Sequence, residues 1–263
     1  MKVGFIGCGN MGGALATAIA KNTDVSVLLA DRDETKAAAL AEAISAEVVT
    51  AEAVAAEADF IFMGLKPYLI ASVLTELRGA LEKNPDAVVV SMAAGVELAK
   101  INGVLPQGQA AIRIMPNTSV ALGEGMVVYT SNGAVTEGAK AEFCRIMAPT
   151  GKLDELAEGL IDAATAVMGC GPAFAYVFLE AMADGAVSCG LPRDKATLYA
   201  AQMLRGAAEM ALASGKHPEV LKDEVCSPGG STIEGVGALE QGAFRATTRA
   251  AVRAAYEKNR QLG

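Results

Sequence analysis

From Met1 to about Leu156, short apolar runs alternate with longer stretches in which apolar residues recur at helical spacing. Lys2-Val3-Gly4-Phe5-Ile6, Val25 to Ala30, Ala58 to Met63, Ala87 to Ser91 and Ala110 to Met115 have the composition of strands buried on both faces. Met126 to Thr130 and Thr150 to Leu156 read as further strands at an edge. Strands alternating with helical patterns predict a doubly wound parallel sheet with helices on both faces. Beyond Ala157 the pattern becomes Ala-rich and helical, broken at Gly169-Cys170-Gly171-Pro172, at Gly190-Leu191-Pro192 and at Ser214-Gly215-Lys216-His217-Pro218. The chain is thus expected to be α/β over residues 1–156 and all-α over 157–263. Ala163 to Val187 and Ala196 to Ala213 present small and apolar residues on more than one face, which demands burial that so few helices cannot give one another. A homodimer built on these helices answers that demand, and a larger ring is compatible with it.

The first strand runs directly into Gly7-Cys8-Gly9-Asn10-Met11-Gly12, which opens the helical stretch Gly13 to Ala20. Strand, G-x-G-x-x-G and helix in that order form the dinucleotide-binding fingerprint of a Rossmann-type domain. Gly7 permits the tight turn, Gly9 lets the backbone approach a pyrophosphate, and Gly12 lets helix and strand pack closely. The second strand ends in Asp31-Arg32, the region where an acidic group meets the adenosine ribose. Lys66-Pro67 and Ala93-Ala94-Gly95 follow later strands at their carboxyl ends, where open α/β sheets bind ligands.

A second donor-rich turn lies near the other end of the chain, at Cys226-Ser227-Pro228-Gly229-Gly230-Ser231-Thr232-Ile233-Glu234. Ser231 with Glu234 reads as a capping box, and the N–H groups of Gly230, Ser231 and Thr232 are expected to converge on an anion such as a carboxylate. Thr232 adds a hydroxyl that can donate to or accept from a group beside that carboxylate.

Composition narrows the classes of partner. The net charge of −8 removes the usual basis for holding a phosphate backbone, so nucleic acid is not expected. No basic segment precedes an apolar core at the start, and Ala173 to Val187 carries Glu180 and Asp184, so it reads as a buried helix and not as a membrane span. Five scattered cysteines suit reduced thiols in a cytoplasm. One histidine, His217, and no cysteine pair at ligand spacing leave no metal site.

Together these segments resemble the pyrroline-5-carboxylate reductase family over nearly the whole chain. The likeness is carried by residues 4 to 12, by Lys66-Pro67, Ser91 to Gly95 and Met115-Pro116-Asn117-Thr118, by Gly169 to Phe174 and Glu180 to Asp184, and by His217-Pro218 through Ile233. The resemblance implies an NAD(P)H-dependent oxidoreductase that reduces a cyclic imino acid, 1-pyrroline-5-carboxylate, to proline, the last step of proline biosynthesis. It implies a cofactor held by Gly7, Gly9, Asn10, Met11, Gly12, Asp31, Arg32, Lys66, Pro67, Ala93, Ala94 and Gly95. It also implies a substrate carboxylate held by Gly229, Gly230, Ser231 and Thr232, an interlocked dimer, and active sites drawing on both subunits. Cys170 and Phe174 stand where relatives commonly carry serine and tyrosine.

A threonine hydroxyl is a poor acid near neutral pH, so Thr232 is assigned an orienting hydrogen bond or a relay to the ring nitrogen. A substrate arriving as an iminium needs no strong acid. Lys66 is the alternative acid, His217 reads as a structural residue at a helix start, and Cys8 and Cys226 read as space-filling thiols. Glu180 and Asp184, one turn apart, read as groups that cap or pair across the dimer, with a carboxylate pair as the alternative. Cofactor choice stays open between NADH, favoured by Asp31, and NADPH, whose 2′-phosphate Arg32 could clasp. A hydroxyacid dehydrogenase needs a base that the helical half does not offer in a core position, so imine reduction is the better match, and a sensor that lost its chemistry would not need the intact turn from Pro228 to Thr232.

Overall fold

The computed structural model describes residues 1–261. The chain divides into two compact units, one of Met1–Gly169 together with the chain from Tyr256 onward, the other of Cys170–Ala255.

The first unit is built on an eight-stranded sheet. Its strands are β1 (Lys2–Ile6), β2 (Ser26–Ala30), β3 (Glu47–Val48), β4 (Phe60–Met63), β5 (Val88–Ser91), β6 (Ala110–Pro116), β7 (Gly125–Ser131) and β8 (Gly151–Glu155). They lie in the order β3-β2-β1-β4-β5-β6-β7-β8. Reversal of the strand order on either side of β1 is the doubly wound pattern expected. One pair departs from it: β6 and β7 are antiparallel, with Ile114 opposite Tyr129. Their short connection contains only the 3-10 turn Thr118–Leu122 and has no crossover helix to return the chain for a parallel strand. β7 is also not an edge strand, because β8 pairs with it and takes the edge.

The helices of this unit are α1 (Asn10–Ile19), α2 (Glu34–Ile44), α3 (Ala51–Glu57), α4 (Ile70–Leu81), α5 (Leu98–Asn102), α6 (Glu137–Met147) and α7 (Ile161–Ala164). Side-chain alternation along the strands sends Phe5, Phe62, Val90 and Ile112 to one face against Leu15, Ile19 and Phe143. Ile6, Met63, Val89 and Ala111 go to the other face, against Leu74, Leu77 and Ile101. Phe5 and Phe62 stack with ring centroids 4.8 Å apart on neighbouring strands. The unit runs beyond the boundary placed at residue 156, because Ile161 packs in a core with Met115 and Val128, and Thr165 and Ala166 are buried too.

The second unit is helical: α8 (Gly171–Ser188), α9 (Arg193–Ser214), α10 (Pro218–Val225), α11 (Ser231–Gln241) and the start of α12 (Phe244–Asn259). α8 and α9 begin and end at the Gly/Pro breaks legible in the sequence. The unit buries only Ala183, Ala196 and Ala200 among its described residues, while Tyr176, Val177, Leu198, Tyr199, Met203 and Met210 stand exposed. The reading of Ala173 to Val187 as a buried helix is therefore corrected for a single chain. Phe178 meets Phe244 within the unit, but Tyr176 and Val177 have no cover there. Residues Glu158–Ser188 are long and apolar enough to cross a membrane, by length and composition alone.

Candidate active site

The carboxyl ends of β2, β1, β4 and β5 form one row, Ala30, Ile6, Met63 and Ser91, in register with Arg113 inside β6. Most of the residues expected to hold a cofactor sit just beyond this row. Gly7 turns the chain at φ 100 and donates its N–H to the Ala30 carbonyl at 2.8 Å. A Cβ on Gly12 would run into the Gly7 carbonyl, and one on Gly64 would do the same, so three backbone segments meet where no side chain fits. A Cβ on Gly9, by contrast, would meet nothing within 4 Å. The backbone at Gly9 is open for a ligand to approach, which is the cradle a pyrophosphate needs.

Gly9 is the N-cap of α1 and no side chain caps the helix. The first N–H groups of a helix have no carbonyl within it to reach, so those of Asn10, Met11 and Gly12 are free to bind an anion with the helix dipole behind them. Asp31, one residue past β2, accepts the Cys8 N–H at 2.6 Å and the Asp33 N–H at 2.9 Å. Burial first, and then the Asp31 charge, push the Cys8 thiol up to about 11, so it stays protonated as a space-filling group. Arg32 is exposed and makes no ion pair among the described residues.

Lys66 caps the 3-10 turn Pro67–Leu69 with its backbone, accepting the Leu69 N–H at 2.9 Å, and its side chain is exposed. Ala93 is buried after β5, while Ala94 is exposed and Gly95 turns the chain at φ 74. Two groups to which the sequence reading gave no role brace these strand ends. Arg113, 3% exposed inside β6, donates to Glu158 at 3.0 Å, and the same carboxylate oxygen accepts the Leu98 N–H at the start of α5 at 2.7 Å. Asn117 donates to the Met168 carbonyl at 3.0 Å and accepts the Met126 N–H at 3.2 Å. A cation inside an apolar strand was the available signal for Arg113. Its partner lies 45 positions away and left none.

The second turn belongs to the helical unit. Ser231 is the first residue of α11, not its cap: Gly230 is the N-cap and no side-chain bond caps the helix, so the expected capping box with Glu234 is absent. The cause lies one residue earlier. Gly229 adopts φ 68, and Gly230 donates its N–H to the Ser227 carbonyl at 3.0 Å, which closes the turn and leaves Gly230 extended. A Cβ on Gly230 would run into the Ser227 hydroxyl. The Gly230 N–H is thus spent inside the turn. Those of Ser231 and Thr232 remain at an uncapped helix start, with the Thr232 side chain exposed beside them. His217 caps α10, its Nδ1 accepting the Glu219 N–H at 3.2 Å, as its structural reading expects. Asp184 pairs with Arg193 at 2.5 Å within its own chain.

Comparison with known proteins gives this arrangement its family. Residues 158–262 match the family model for pyrroline-5-carboxylate reductase dimerisation, and residues 2–95 match one described as NADP oxidoreductase, coenzyme F420-dependent. The pyrroline-5-carboxylate reductase of Escherichia coli is 40% identical over 99% of this chain and 98% of its own length. The chain belongs to the pyrroline-5-carboxylate reductase family. Pyrroline-5-carboxylate reductase 3 of Danio rerio is 38% identical over the full chain and 92% of its own length. Among solved structures, a Plasmodium falciparum pyrroline carboxylate reductase with NADP bound superimposes with a TM-score of 0.87 at 31% identity, covering 100% of this chain and 98% of that one. Family membership makes the chain an oxidoreductase with a dinucleotide-binding first half and a helical second half, in agreement with the resemblance read from its motifs.

Proposed function

We propose that the protein reduces 1-pyrroline-5-carboxylate to proline with NADPH or NADH as the hydride donor. The observation that carries this reading is the uncapped start of α11 behind the Gly229-Gly230 turn, with Thr232 on it, in a chain of this family. The cofactor, when bound, supplies a hydride to the imine carbon. Gly7, Gly9 and Gly12 shape the turn that holds its pyrophosphate, with the N–H groups of Asn10, Met11 and Gly12 as donors. Asp31 and Arg32 stand at the ribose end. Lys66-Pro67 and Ala93-Ala94-Gly95 line the strand ends beyond.

Gly229 and Gly230 bend the chain so that the N–H groups of Ser231 and Thr232 take the substrate carboxylate, assisted by the helix dipole. The Thr232 hydroxyl orients the ring nitrogen. An iminium arrives already protonated, so hydride addition completes the amine and no residue needs to release a proton at neutral pH. Rate enhancement then comes mainly from alignment, with reacting carbons held within roughly 3.5 Å. The helices of the second unit join two chains as a homodimer, and these dimers can assemble into a larger ring. The five cysteines, all free in the structure, fit a reducing cytoplasm.

Initial rates of NADPH and NADH oxidation with pyrroline-5-carboxylate, with a six-membered imino acid as control, test the reading. Turnover selective for the five-membered ring is expected. No turnover in protein that binds a dinucleotide would overturn the substrate assignment. Thr232→Ala should lower kcat by roughly 10–100-fold, the scale of one orienting hydrogen bond in the transition state. A change confined to KM would remove its role at the reacting nitrogen.

A further inference from the structure

The acidic group at the end of β2 is fixed, not free to swing. Both oxygens of Asp31 accept backbone N–H groups, one from Cys8 in the glycine turn and one from Asp33 two residues on. The first of these bonds, at 2.6 Å, ties the carboxylate to the loop that would carry the pyrophosphate. In this fold the adenosine ribose lies at that place, where its 2′ substituent meets whatever follows β2. A carboxylate has lone pairs to spare after two hydrogen bonds, so it can still accept from a 2′-hydroxyl. A 2′-phosphate would instead bring two negative groups together.

Among the described neighbouring charges, Arg32 alone is placed to offset that repulsion. Between residues 31 and 36 the chain places Asp31, Asp33 and Glu34 against Arg32 and Lys36. Lys36 is drawn to Asp33 at 3.4 Å, and Asp33 also accepts the Thr35 hydroxyl. Arg32 is the one cation of this stretch without an ion-pair partner among the described residues, and it stands beside a carboxylate that cannot move away.

We propose that Asp31, anchored by the Cys8 and Asp33 N–H groups, makes this protein select NADH over NADPH. The inference rests on reading the glycine turn as a dinucleotide site and adds a choice between the two cofactors. Selection here works by an introduced repulsion as much as by an added hydrogen bond.

Equilibrium titration of the full-length protein with NADH and with NADPH, followed by nucleotide fluorescence, tests it without reference to turnover. NADH is expected to bind at least about tenfold more tightly than NADPH, the scale of one unrelieved like-charge contact. Asp31→Ser and Asp31→Asn should tighten NADPH and weaken NADH, narrowing or inverting the ratio, whereas Arg32→Ala should keep the preference for NADH. Because Asp31 also secures the glycine turn, its variants are first compared with the wild type in thermal melts. If they unfold, the wild-type ratio decides alone. Equal binding of both cofactors, or tighter binding of NADPH that Arg32→Ala abolishes, would overturn the selection while leaving the dinucleotide site intact. Binding of neither would overturn the site itself, and the selection with it.

Discussion

The sheet unit and the helical unit solve the burial problem in opposite ways. The sheet closes a core on each of its faces, with Phe5, Leu15, Phe62 and Phe143 on one and Ile61, Leu74 and Ile101 on the other, each almost wholly removed from water. Among its described residues Cys170–Ala255 buries three alanines and leaves Tyr176, Leu198, Tyr199, Met203 and Met210 at the surface. The first unit is therefore specified by contacts within one chain, and the second leaves apolar surface that the proposed homodimer would cover. The two turns differ in the same sense. Gly7 to Gly12 is locked by bonds to Ala30 and Asp31 inside its unit, while Gly229 to Thr232 is closed by a single bond to Ser227 and is largely exposed. On the proposed reading, the cofactor turn is formed within one chain, whereas the substrate turn needs a second subunit to exclude water.

The largest effect should come from placing charge on the uncovered helices. Val177 on α8 and Leu198 on α9 are 69% and 63% exposed in the single chain. On a free surface, substitution there would change stability by no more than about 0.5 kcal/mol. Under a second subunit, Val177→Glu with Leu198→Glu buries two carboxylates without partners, and the dimer dissociation constant should rise by more than roughly 1,000-fold. Sedimentation velocity reads the assembly, and nucleotide titration reads the sheet unit. The expected outcome is loss of the dimer and of turnover with nucleotide binding retained. An unchanged oligomeric state would remove the helices from the interface.

The next effect separates folding from binding within the sheet unit. Gly12→Ala drives a methyl group into the Gly7 carbonyl, so it should cost about 1–3 kcal/mol of stability as well as cofactor affinity. Gly9→Ala places its methyl group in open space, so the melting temperature should hold while nucleotide affinity falls by roughly tenfold or more, because the methyl group occupies the pyrophosphate's approach. Equal melting losses in the two variants would mean that the turn is a folding element only.

What the sequence revealed follows the same divide. Central strands buried on both faces are written as unbroken apolar runs, so β1, β2, β4, β5 and β6 were legible within a residue or two. β3 was not: Glu47–Val48 is two exposed residues, held by pairing with Leu28 and Leu29. Nor was the reversed direction of β7, which depends on the length of its connection and not on its own composition. The capping box failed for a local reason. A serine followed three residues later by a glutamate signals a cap only where the serine is the last non-helical residue, and the positive φ of Gly229 with the Ser227 turn gave that place to Gly230. The uncovered helix faces were legible because helices apolar on several sides state their need for cover without naming what covers them.

The smallest effect concerns how the exposed turn is held. Arg245, at the start of α12, reaches Glu219 on α10 and Glu240 on α11, each at 2.5 Å, and Lys222 holds Glu219 as well at 2.8 Å. This clip ties together the helices on either side of Gly229-Gly230. The Lys222 hydrogen bond, then that of Arg245, pull the Glu219 carboxyl down to about 2 from an ordinary value of 4.5. With the folded value below the unfolded one, the clip stabilises the protein above about pH 4.5 and is lost as the pH falls toward 2. These side chains are exposed and screened by salt, so the contribution to global stability is small. Arg245→Ala should therefore leave nucleotide affinity unchanged, raise the KM for the imino acid by roughly twofold to fivefold at neutral pH, and shrink the loss of melting temperature between pH 7 and pH 3. In the sheet unit Arg145 makes the matching clip, to Asp24 at 2.9 Å and Glu142 at 2.7 Å, and holds both carboxyls below their ordinary values. There the turn that binds is fixed by the core beneath it, so Arg145→Ala should flatten the acid response in the same way and leave the KM for the imino acid where it was. Equal KM effects from the two arginines would mean that the turn before α11 needs no clip, and that its geometry is set by Gly229, Gly230 and the second subunit alone.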